Sequence, residues 1–409
     1  MKFNDLIQEK YILIDFNCAH ESTHHWSSMV LYGSFIEKKG ANFEFWVPRY
    51  ISKDIKRKLT SVGKVSNFLS SPQYGATNLM RFPVAYLISK VAKFHNIKSP
   101  NTSLIGNLIK RAITIYCLGP ALMRIAKESR KSTIFIVFPT LDYLGIQLIK
   151  LVEKKFSGIS IHVRRMGSET RSPFSNGTEL VTFIELIESA SNNTIRMGIP
   201  TLGLLDKIKE ECSRPNQIYW SPLPPNLVTR DSSKKREEAV NIGFPGTAKL
   251  SKGYSKIPTI IDRLSKEGIK ANIFLQKALY PWDGYLETRD KILSSDLEIH
   301  ELNSVISISE YHSLLSNLDL IILPYERDSY LNADSGILYE AADYGIPILC
   351  EEKLGFSDEA FLNGIGFNIN QAGTMKNLVM EAISEQTQAN IITYNKQRDQ
   401  AMSKFLFEA

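Results

Sequence analysis

A glycine- and lysine-rich segment in the second half of the chain has the residue types that bind phosphate. It reads PGTAKLSKG and contains Gly246, Thr247, Lys249 and Lys252, directly after the apolar stretch AVNIGF. Glycine lets the backbone approach a ligand closely, and oriented N–H groups together with two ammonium groups attract an anion. The alternative is an ordinary polar connection with two solvated lysines, because such loops are common.

A second segment, about 80 residues later, combines a predicted helix start with a carboxylate. The apolar run LIILP ends at Tyr325, and the stretch DSGILYEAADYGIP begins with Asp334, Ser335 and Gly336. Small residues at a helix N-terminus expose N–H groups that favour an anion. Glu340 follows one turn later, where a carboxylate can accept hydrogen bonds from ribose hydroxyls. The alternative is a capping serine and a surface glutamate on an ordinary helix.

Both segments follow predicted strands of one sheet. Because parallel strands end at the same edge of a sheet, the lysines, the helix start and the carboxylate are expected to lie close together. This combination predicts a site for a nucleoside diphosphate rather than for a bare metabolite.

The first half of the chain offers a polar segment after its first predicted strand. The stretch NCAHESTHH contains Asn17, His20, Glu21 and His24. Its spacing fits no standard zinc pattern, so we expect no metal. His20 and Glu21 are hypothesised to contact a substrate as catalytic groups, with Asn17 and His24 beside them. The alternative is a helix cap formed by Ser22 or Thr23.

A charged segment follows another predicted strand of the first half. It reads HVRRMGSET and contains Arg164, Arg165 and Glu169. These residues are candidates for an acceptor-binding side, and solvated surface charges are the equally good alternative.

Short apolar strands alternate with helical patterns through both halves of the chain. Such repeats predict an α/β protein with two doubly wound parallel sheets facing across a cleft. The proline-rich stretch PLPP and a polar run divide them, which gives a first domain over 1–225, a linker over 226–239 and a second domain over 240–385. A final helix over 386–409 is expected to pack back on the first domain.

The charge is distributed unevenly along the chain. Residues 1–225 hold 30 lysines and arginines against 17 acidic residues, whereas the remaining residues hold 19 against 26. The stretch 55–127 carries twelve basic residues and no acidic one. This pattern favours an anionic partner, hypothesised to be the inner membrane face, and the alternative is a solvated basic surface.

The sequence predicts a cytoplasmic protein that is at most peripheral on a membrane. Its four cysteines are widely spaced, it has no apolar run near 20 residues, and its N-terminus does not resemble a leader.

The second half resembles the nucleotide-sugar-binding domain of GT-B glycosyltransferases of the glycogen-synthase-like group. The resemblance rests on the basic loop from Gly246, on the stretch SEYHSLLSNLDLIILPY, and on the Ser335–Gly336…Glu340…Gly-x-Pro series. Many relatives have a second glutamate eight positions before Glu340, and here that position is Asn332. Over 1–225 the resemblance is in domain layout alone.

The resemblance implies transfer of a sugar from a nucleotide-diphosphate sugar to a glycan or lipid-linked acceptor, with retention of configuration and no metal or other cofactor. In this interpretation Lys252 stabilises the leaving diphosphate, and the first domain binds the acceptor for cell-surface polysaccharide or glycoconjugate synthesis. Two rival functions are a sugar-nucleotide epimerase of the same fold and a catalytically silent binding partner, the latter favoured by Asn332. The sequence has no aromatic and basic recognition module for nucleic acid.

Overall fold

The computed structural model describes residues 9–16, 18, 25–49, 51–69, 118–140, 143–164, 179–228, 239–331 and 335–408. The chain forms two compact units. Unit 1 consists of Met1–Pro200, Ile208–Ser221 and Phe405–Ala409, and unit 2 of Thr201–Lys207 and Pro222–Lys404. The domain boundaries inferred from the sequence stay predictions, and residues 229–238 of the predicted linker lie outside the described residues.

Unit 1 is built on a parallel seven-stranded sheet in the order β3-β2-β1-β4-β5-β6-β7. The strands are β1 (Glu9–Ile14), β2 (Asn42–Pro48), β3 (Lys64–Leu69), β4 (Thr133–Phe138), β5 (Ser160–Arg164), β6 (Thr194–Ile199) and β7 (Ile218–Trp220). The helices in this part of the chain are α1 (His25–Lys38), α2 (Lys53–Thr60), α3 (Tyr143–Lys155), α4 (Glu179–Ser189) and α5 (Leu202–Glu211), together with helical residues 118–128.

A buried carboxylate ties the first strands of unit 1 together. Glu44, in the middle strand β2, is fully buried and lies 2.9 Å from Lys10 Nζ of β1 and 2.9 Å from Arg124 Nη2. Ser66 of β3 donates a further hydrogen bond to it. A buried charge persists only when it is paired in this way, so the cluster is a structural device.

Unit 2 is built on a parallel six-stranded sheet in the order β10-β9-β8-β11-β12-β13. Its strands are β8 (Val240–Phe244), β9 (Ala271–Gln276), β10 (Glu298–Leu302), β11 (Leu320–Leu323), β12 (Ile348–Cys350) and β13 (Gly366–Asn368). The helices that follow are α6 (Ile257–Lys266), α7 (Tyr285–Leu293), α8 (Ile308–Asn317), α9 (Arg327–Tyr330), α10 (Gly336–Asp343), α11 (Ser357–Leu362), α12 (Met375–Ala382) and α13 (Glu385–Phe407).

The predicted α/β class with two doubly wound parallel sheets is confirmed. In unit 2 the direction of winding reverses between β8 and β11, which are neighbours in the sheet. At such a switch point the loops after the two strands diverge and leave room for a ligand. The apolar residues of these strands are buried because helices cover the sheet, as the continuous run LIIL of β11 predicts.

Several short elements are absent from the sequence prediction. The strands β3 and β13 and the helices α9 and α11 were not predicted. β3 is a half-polar edge strand and β13 has three residues, so neither carries a clear apolar pattern.

None of the helices in the described part of the chain combines the length and the apolar character that a bilayer crossing requires.

A buried arginine fixes helix α10 within unit 2. Arg398 of α13 is fully buried, and its Nη1 donates to Asp343 Oδ1 at 2.8 Å and to the Tyr339 carbonyl at 3.3 Å. The other guanidinium nitrogens donate to the Leu223 carbonyl, and Asn395 donates to the Ala342 carbonyl at 2.7 Å. The C-terminal helix and the segment after Pro222 thus hold α10 by polar contacts in an apolar interior.

We expect Arg398→Met to reduce the free energy of unfolding by about 3–5 kcal/mol, because it removes the buried guanidinium that pairs with the Asp343 carboxylate at 2.8 Å. Urea unfolding of the full chain measures the change. The control Lys266→Met breaks the exposed pair with Asp262 and should cost less than about 1 kcal/mol. Equal stability of the two variants would contradict the role assigned to Arg398.

Candidate functional site

The candidate site of unit 2 begins where strands β8 and β11 end. After β8 the chain forms what we call the basic loop, residues 245–253, which contains a 3₁₀ turn over Leu250–Lys252. After β11 it continues through Pro324 and Tyr325. Because β8 and β11 are paired in parallel, the basic loop and the end of β11 lie at the same edge of the sheet.

Two glycines allow the basic loop to fold onto the end of β11. Gly253 has φ of 68°, and a Cβ placed on it would lie 1.6 Å from the Pro324 carbonyl oxygen. The backbone N–H of Glu326 donates to the Ser251 carbonyl at 3.0 Å, which fixes this contact. Any side chain at position 253 would therefore push the loop away from β11.

The second glycine makes room for a lysine side chain. Gly246 has φ of 91°, and a Cβ there would lie 2.3 Å from Lys252 Nζ. The ammonium group of Lys252 thus folds back against the Gly246 backbone, 5.9 Å from the centre of the Tyr325 ring. Burial lowers the pKa of Lys252 to about 8, helped by the charge of Lys249 and opposed by that of Glu340. The group is a desolvated cation that an anionic ligand would stabilise.

Three aromatic rings support the turn that follows the basic loop. Tyr254 packs against Trp282 and Tyr285 with ring centroids 5.5 Å and 5.6 Å apart. The Tyr285 hydroxyl accepts a hydrogen bond from the Ala278 N–H at 3.1 Å. This cluster anchors the loop to the segment after β9. Trp282 is the one tryptophan in residues 222–404.

The other side of the site is the first turn of α10. Ser335 is the buried residue before the helix, and its side chain makes no capping hydrogen bond with the first turn. The first N–H groups of a helix have no partner within the helix, and the helix dipole gives this end a partial positive charge. The start of α10 therefore suits a negatively charged group.

Glu340 lies one turn into α10 and is partly buried. Its Oε2 accepts a hydrogen bond from the Tyr311 hydroxyl of α8 at 2.6 Å. Burial raises the pKa of Glu340, the bond from Tyr311 opposes that rise, Asp343 adds to it, and Lys252 opposes it. A carboxylate in this position is an acceptor for hydroxyl donors such as those of a ribose.

The Tyr325 ring forms the wall beside Lys252. It packs on Tyr330 with ring centroids 4.3 Å apart and on Phe356 at 5.9 Å. The Gly355 N–H donates to the Tyr330 carbonyl at 2.7 Å, which links α9 to the loop after β12. The short helix α9 thereby holds Tyr325 in place.

The structure brings together five of the residues that the sequence proposed for a nucleotide. Gly246, Lys252 and Tyr325 are in contact or near contact, while Glu340 on α10 interacts electrostatically with Lys252, and Thr247 adjoins Gly246. The Thr247 hydroxyl donates to the Ser304 carbonyl at 3.3 Å, a contact that braces the loop.

The remaining nucleotide candidates of the described residues lie beside this group. Lys249 is exposed on the basic loop, and Ser335 and Gly336 form the start of α10. The sequence assigns no role to Tyr311, which lies within the stretch SEYHSLLSNLDLIILPY. Its partner is 29 residues away in the chain, so no local pattern reveals the contact.

Of the residues proposed for the acceptor side, the structure describes Arg164. Arg164 is fully buried in unit 1, and its Nε donates to the Ser221 carbonyl at 2.9 Å, so its side chain stabilises the core. The other candidates lie outside the described residues: Asn17, His20, Glu21, His24, Arg165 and Glu169, and Asp334 of the nucleotide set. In the part of the chain that the structure describes, no group of three His, Cys, Asp or Glu side chains is placed to hold a metal ion.

No family model and no curated protein matches the sequence. Solved structures match it in fold. The lipopolysaccharide outer core galactosyltransferase WaaB is 11% identical, with 98% of this chain and 99% of that one covered and a TM-score of 0.53. HepE from Anabaena, solved in complex with UDP, is 13% identical, with 97% and 100% covered and a TM-score of 0.52.

A third match is sucrose-phosphate synthase from Thermosynechococcus elongatus. It is 12% identical, with 97% of this chain and 95% of that one covered and a TM-score of 0.54. These likenesses establish the fold: the chain has the GT-B fold, with two Rossmann-like α/β units, as the resemblance in the sequence predicted.

We expect a diphosphate bound beside Lys252, with UDP as the probe, to lose about tenfold in affinity for the full chain between pH 7 and pH 9. A lysine is charged below its pKa, so Lys252, with a pKa of about 8, loses its attraction for a diphosphate as the pH rises through that value. Calorimetry at pH 7, 8 and 9 measures this change. In Lys252→Arg the charge persists, and the alkaline loss should disappear. A wild-type affinity that is constant across this range would contradict the assignment of Lys252.

Proposed function

We propose that this protein is a glycosyltransferase that moves a sugar from a nucleotide-diphosphate sugar to a glycan or lipid-linked acceptor. The observation that carries the proposal is the position of Lys252 against the Gly246 backbone, across from the α10 start and Glu340, at the switch point of unit 2. The GT-B fold supports sugar transfer as a class, because the matched proteins include a galactosyltransferase and a sucrose-phosphate synthase. The fold alone does not fix the chemistry, so the proposal depends on these side chains.

The proposed donor site accounts for the diphosphate and the ribose of the ligand. The Lys252 ammonium and the N-terminal end of α10 bind the two phosphates, and Glu340 accepts hydrogen bonds from the ribose. The bound UDP of HepE supports a nucleoside-diphosphate donor in this fold.

The reaction follows from where charge develops. The bond between the sugar C1 and the diphosphate oxygen breaks, and its electron pair goes to the leaving diphosphate. Lys252 and the N–H groups of α10 stabilise that charge, as preorganised cations and dipoles do in electrostatic catalysis. The acceptor hydroxyl forms the new bond to C1 and releases its proton to a base.

We propose His20 and Glu21 for the acceptor side of the reaction, since they follow β1 in a polar segment near the carboxyl end of that strand. Retention of configuration stays a proposal that rests on the resemblance to the glycogen-synthase-like group.

The first test is a thermal-shift panel of UDP, GDP, ADP, CDP and dTDP and their common sugar conjugates. We expect at least one nucleoside diphosphate to raise the melting temperature, because a ligand that binds only the folded state stabilises it. Glu340→Ala and Lys252→Ala should each weaken binding by about 1.5–3 kcal/mol, the range for a hydrogen bond to a charged group.

Matched controls are Asp262→Ala and Lys266→Ala, which remove an exposed ion pair on α6. They should leave the affinity unchanged. Absence of any stabilising nucleotide, or equal affinity in all four variants and the wild type, would contradict the donor site. Turnover of the nucleotide sugar without an acceptor would instead favour the epimerase, and tight binding without turnover the silent partner.

We further propose that unit 1 docks on an anionic membrane surface. The exposed residues Lys56 and Arg57 of α2 belong to the stretch 55–127, and Arg57 also pairs with Asp54 at 3.1 Å. Lys58 Nζ lies 4.6 Å from the centre of the Trp26 ring. Most of the stretch 55–127 lies outside the described residues, so the support is its composition: twelve basic residues and no acidic one. Each lysine or arginine near an acidic lipid surface contributes about 1 kcal/mol.

We expect the protein to sediment with vesicles that contain phosphatidylserine and not with neutral ones. Binding should decrease with added salt, because surface charges are screened. It should also decrease when Lys90, Lys93, Lys110 and Arg111 are neutralised together. Equal recovery with both kinds of vesicle, or recovery with neither, would end the membrane proposal and leave the glycosyltransferase proposal intact.

A further inference from the structure

The first turn of α8 is fixed by a reciprocal cap. Ser307 Oγ accepts from the Glu310 N–H at 3.2 Å, and Glu310 Oε2 accepts from the Ser307 N–H at 2.7 Å. Tyr311 follows at once, and its N–H donates to the Ser307 carbonyl at 2.9 Å. The buried residues Leu314 and Leu315 anchor the next turn. The backbone of Tyr311 is therefore held at a defined place by contacts at both ends of its turn.

The Tyr311 side chain reaches across to α10. Its hydroxyl donates to Glu340 Oε2 at 2.6 Å, within the range of an O–H···O⁻ bond to an ionised carboxylate. The bond engages Glu340 Oε2 and not Oε1. A tyrosine has two side-chain torsions, so the hydroxyl is a rigid support for a flexible glutamate.

The groups around Glu340 come from several segments of unit 2. Lys252 of the basic loop favours the ionised carboxylate, whereas Asp343 of the same helix and the burial of the site oppose it. Tyr325 after β11 and Tyr344 after α10 are also close enough to interact electrostatically with Glu340. Tyr311 of α8 differs from these four neighbours, because its hydroxyl makes a direct hydrogen bond to the carboxylate.

We propose that Tyr311 is a positioning residue that holds Glu340 ionised and oriented to recognise the ribose of a ribonucleoside diphosphate. This inference rests on the proposed function of the donor site and adds to it a residue that determines ribose recognition. An ionised carboxylate accepts from both ribose hydroxyls, whereas a protonated carboxyl group presents a donor in place of an acceptor. Without the tyrosine hydroxyl, the ionised Glu340 carboxylate would lose one favourable hydrogen bond. The Glu340 side chain would also lose the contact that fixes its rotamer.

The experiment compares Tyr311→Phe with the wild type by calorimetric titration of UDP and 2′-deoxy-UDP. If the nucleotide panel ranks another base first, that ribonucleoside diphosphate and its 2′-deoxy form replace UDP. The ratio of the two dissociation constants isolates the contact with the 2′-hydroxyl. The two ligands have the same phosphates, so the protonation of those phosphates affects both dissociation constants equally. Glu340→Gln defines the ratio that remains without the carboxylate.

In the wild type we expect the ribonucleotide to bind about tenfold or more tightly than its 2′-deoxy form. In Tyr311→Phe the ratio should fall toward that of Glu340→Gln. As the pH falls from 7 to 5, the ratio should also decline at a higher pH in Tyr311→Phe than in the wild type. The sign follows because loss of the tyrosine hydroxyl raises the pKa of Glu340 further, so its carboxylate protonates earlier.

A matched control is available elsewhere in unit 2. The hydroxyl of Tyr394 on α13 donates to the carboxylate of Glu359 on α11, which is a buried tyrosine–glutamate pair of the same kind. Tyr394→Phe should change stability and leave the ribose ratio and its pH dependence as in the wild type.

The outcomes separate this inference from the proposed function. A ratio and pH profile in Tyr311→Phe equal to those of the wild type would overturn the role of Tyr311 while the donor site stands. An equal loss of ratio in Tyr394→Phe would also overturn it, because the effect would then be structural. Absence of nucleotide binding by the wild type would overturn both.

Discussion

The close approach of the basic loop to the end of β11 is the constraint on which the candidate site depends. Gly253 lies against the Pro324 carbonyl so tightly that even a methyl group would overlap it. The contact turns the loop back over the sheet edge, and only then does Lys252 reach the Gly246 backbone and the Tyr325 ring. Gly246 and Gly253 both have left-handed backbone angles, and the absence of a Cβ at these positions leaves the space that the Lys252 side chain and the basic loop occupy.

Partial burial gives the site its electrostatic character. The same desolvation lowers the pKa of Lys252 and raises that of Glu340, because each shift favours the neutral form of its group. The charges of Lys252 and Glu340 oppose these shifts, and the Tyr311 hydroxyl adds a direct bond to the carboxylate. A ligand that places negative charge beside Lys252 and hydroxyl groups beside Glu340 would therefore stabilise the charged forms of both groups.

The support of this site extends into the rest of unit 2. Arg398 holds the far end of α10 through Asp343 and the Tyr339 carbonyl, and the aromatic cluster around Tyr254 holds the basic loop. A doubly wound sheet provides the switch point, and many chemistries share that frame. The proposed activity therefore depends on which side chains the frame presents at the ends of β8 and β11.

The sequence by itself determined the class of fold. Continuous apolar runs such as LIIL, separated by helical patterns, specify buried parallel strands, and the prediction of two doubly wound sheets is confirmed. The sequence also proposed Gly246, Lys252 and Glu340 for a nucleotide, because glycines and lysines after a strand and a carboxylate after a helix start are local patterns.

Only the tertiary structure decided which long-range partners these residues have. Tyr311 meets Glu340, and Arg398 meets Asp343, across gaps that no local pattern spans. Arg164, which the sequence proposed for the acceptor side, is instead buried against the Ser221 carbonyl. A charged residue at the end of a strand, such as Arg164 of β5, has the same local sequence whether it faces solvent or the core. Its burial and its partners are set by the packing of segments that lie far apart in the chain, and no local pattern of residues shows that packing.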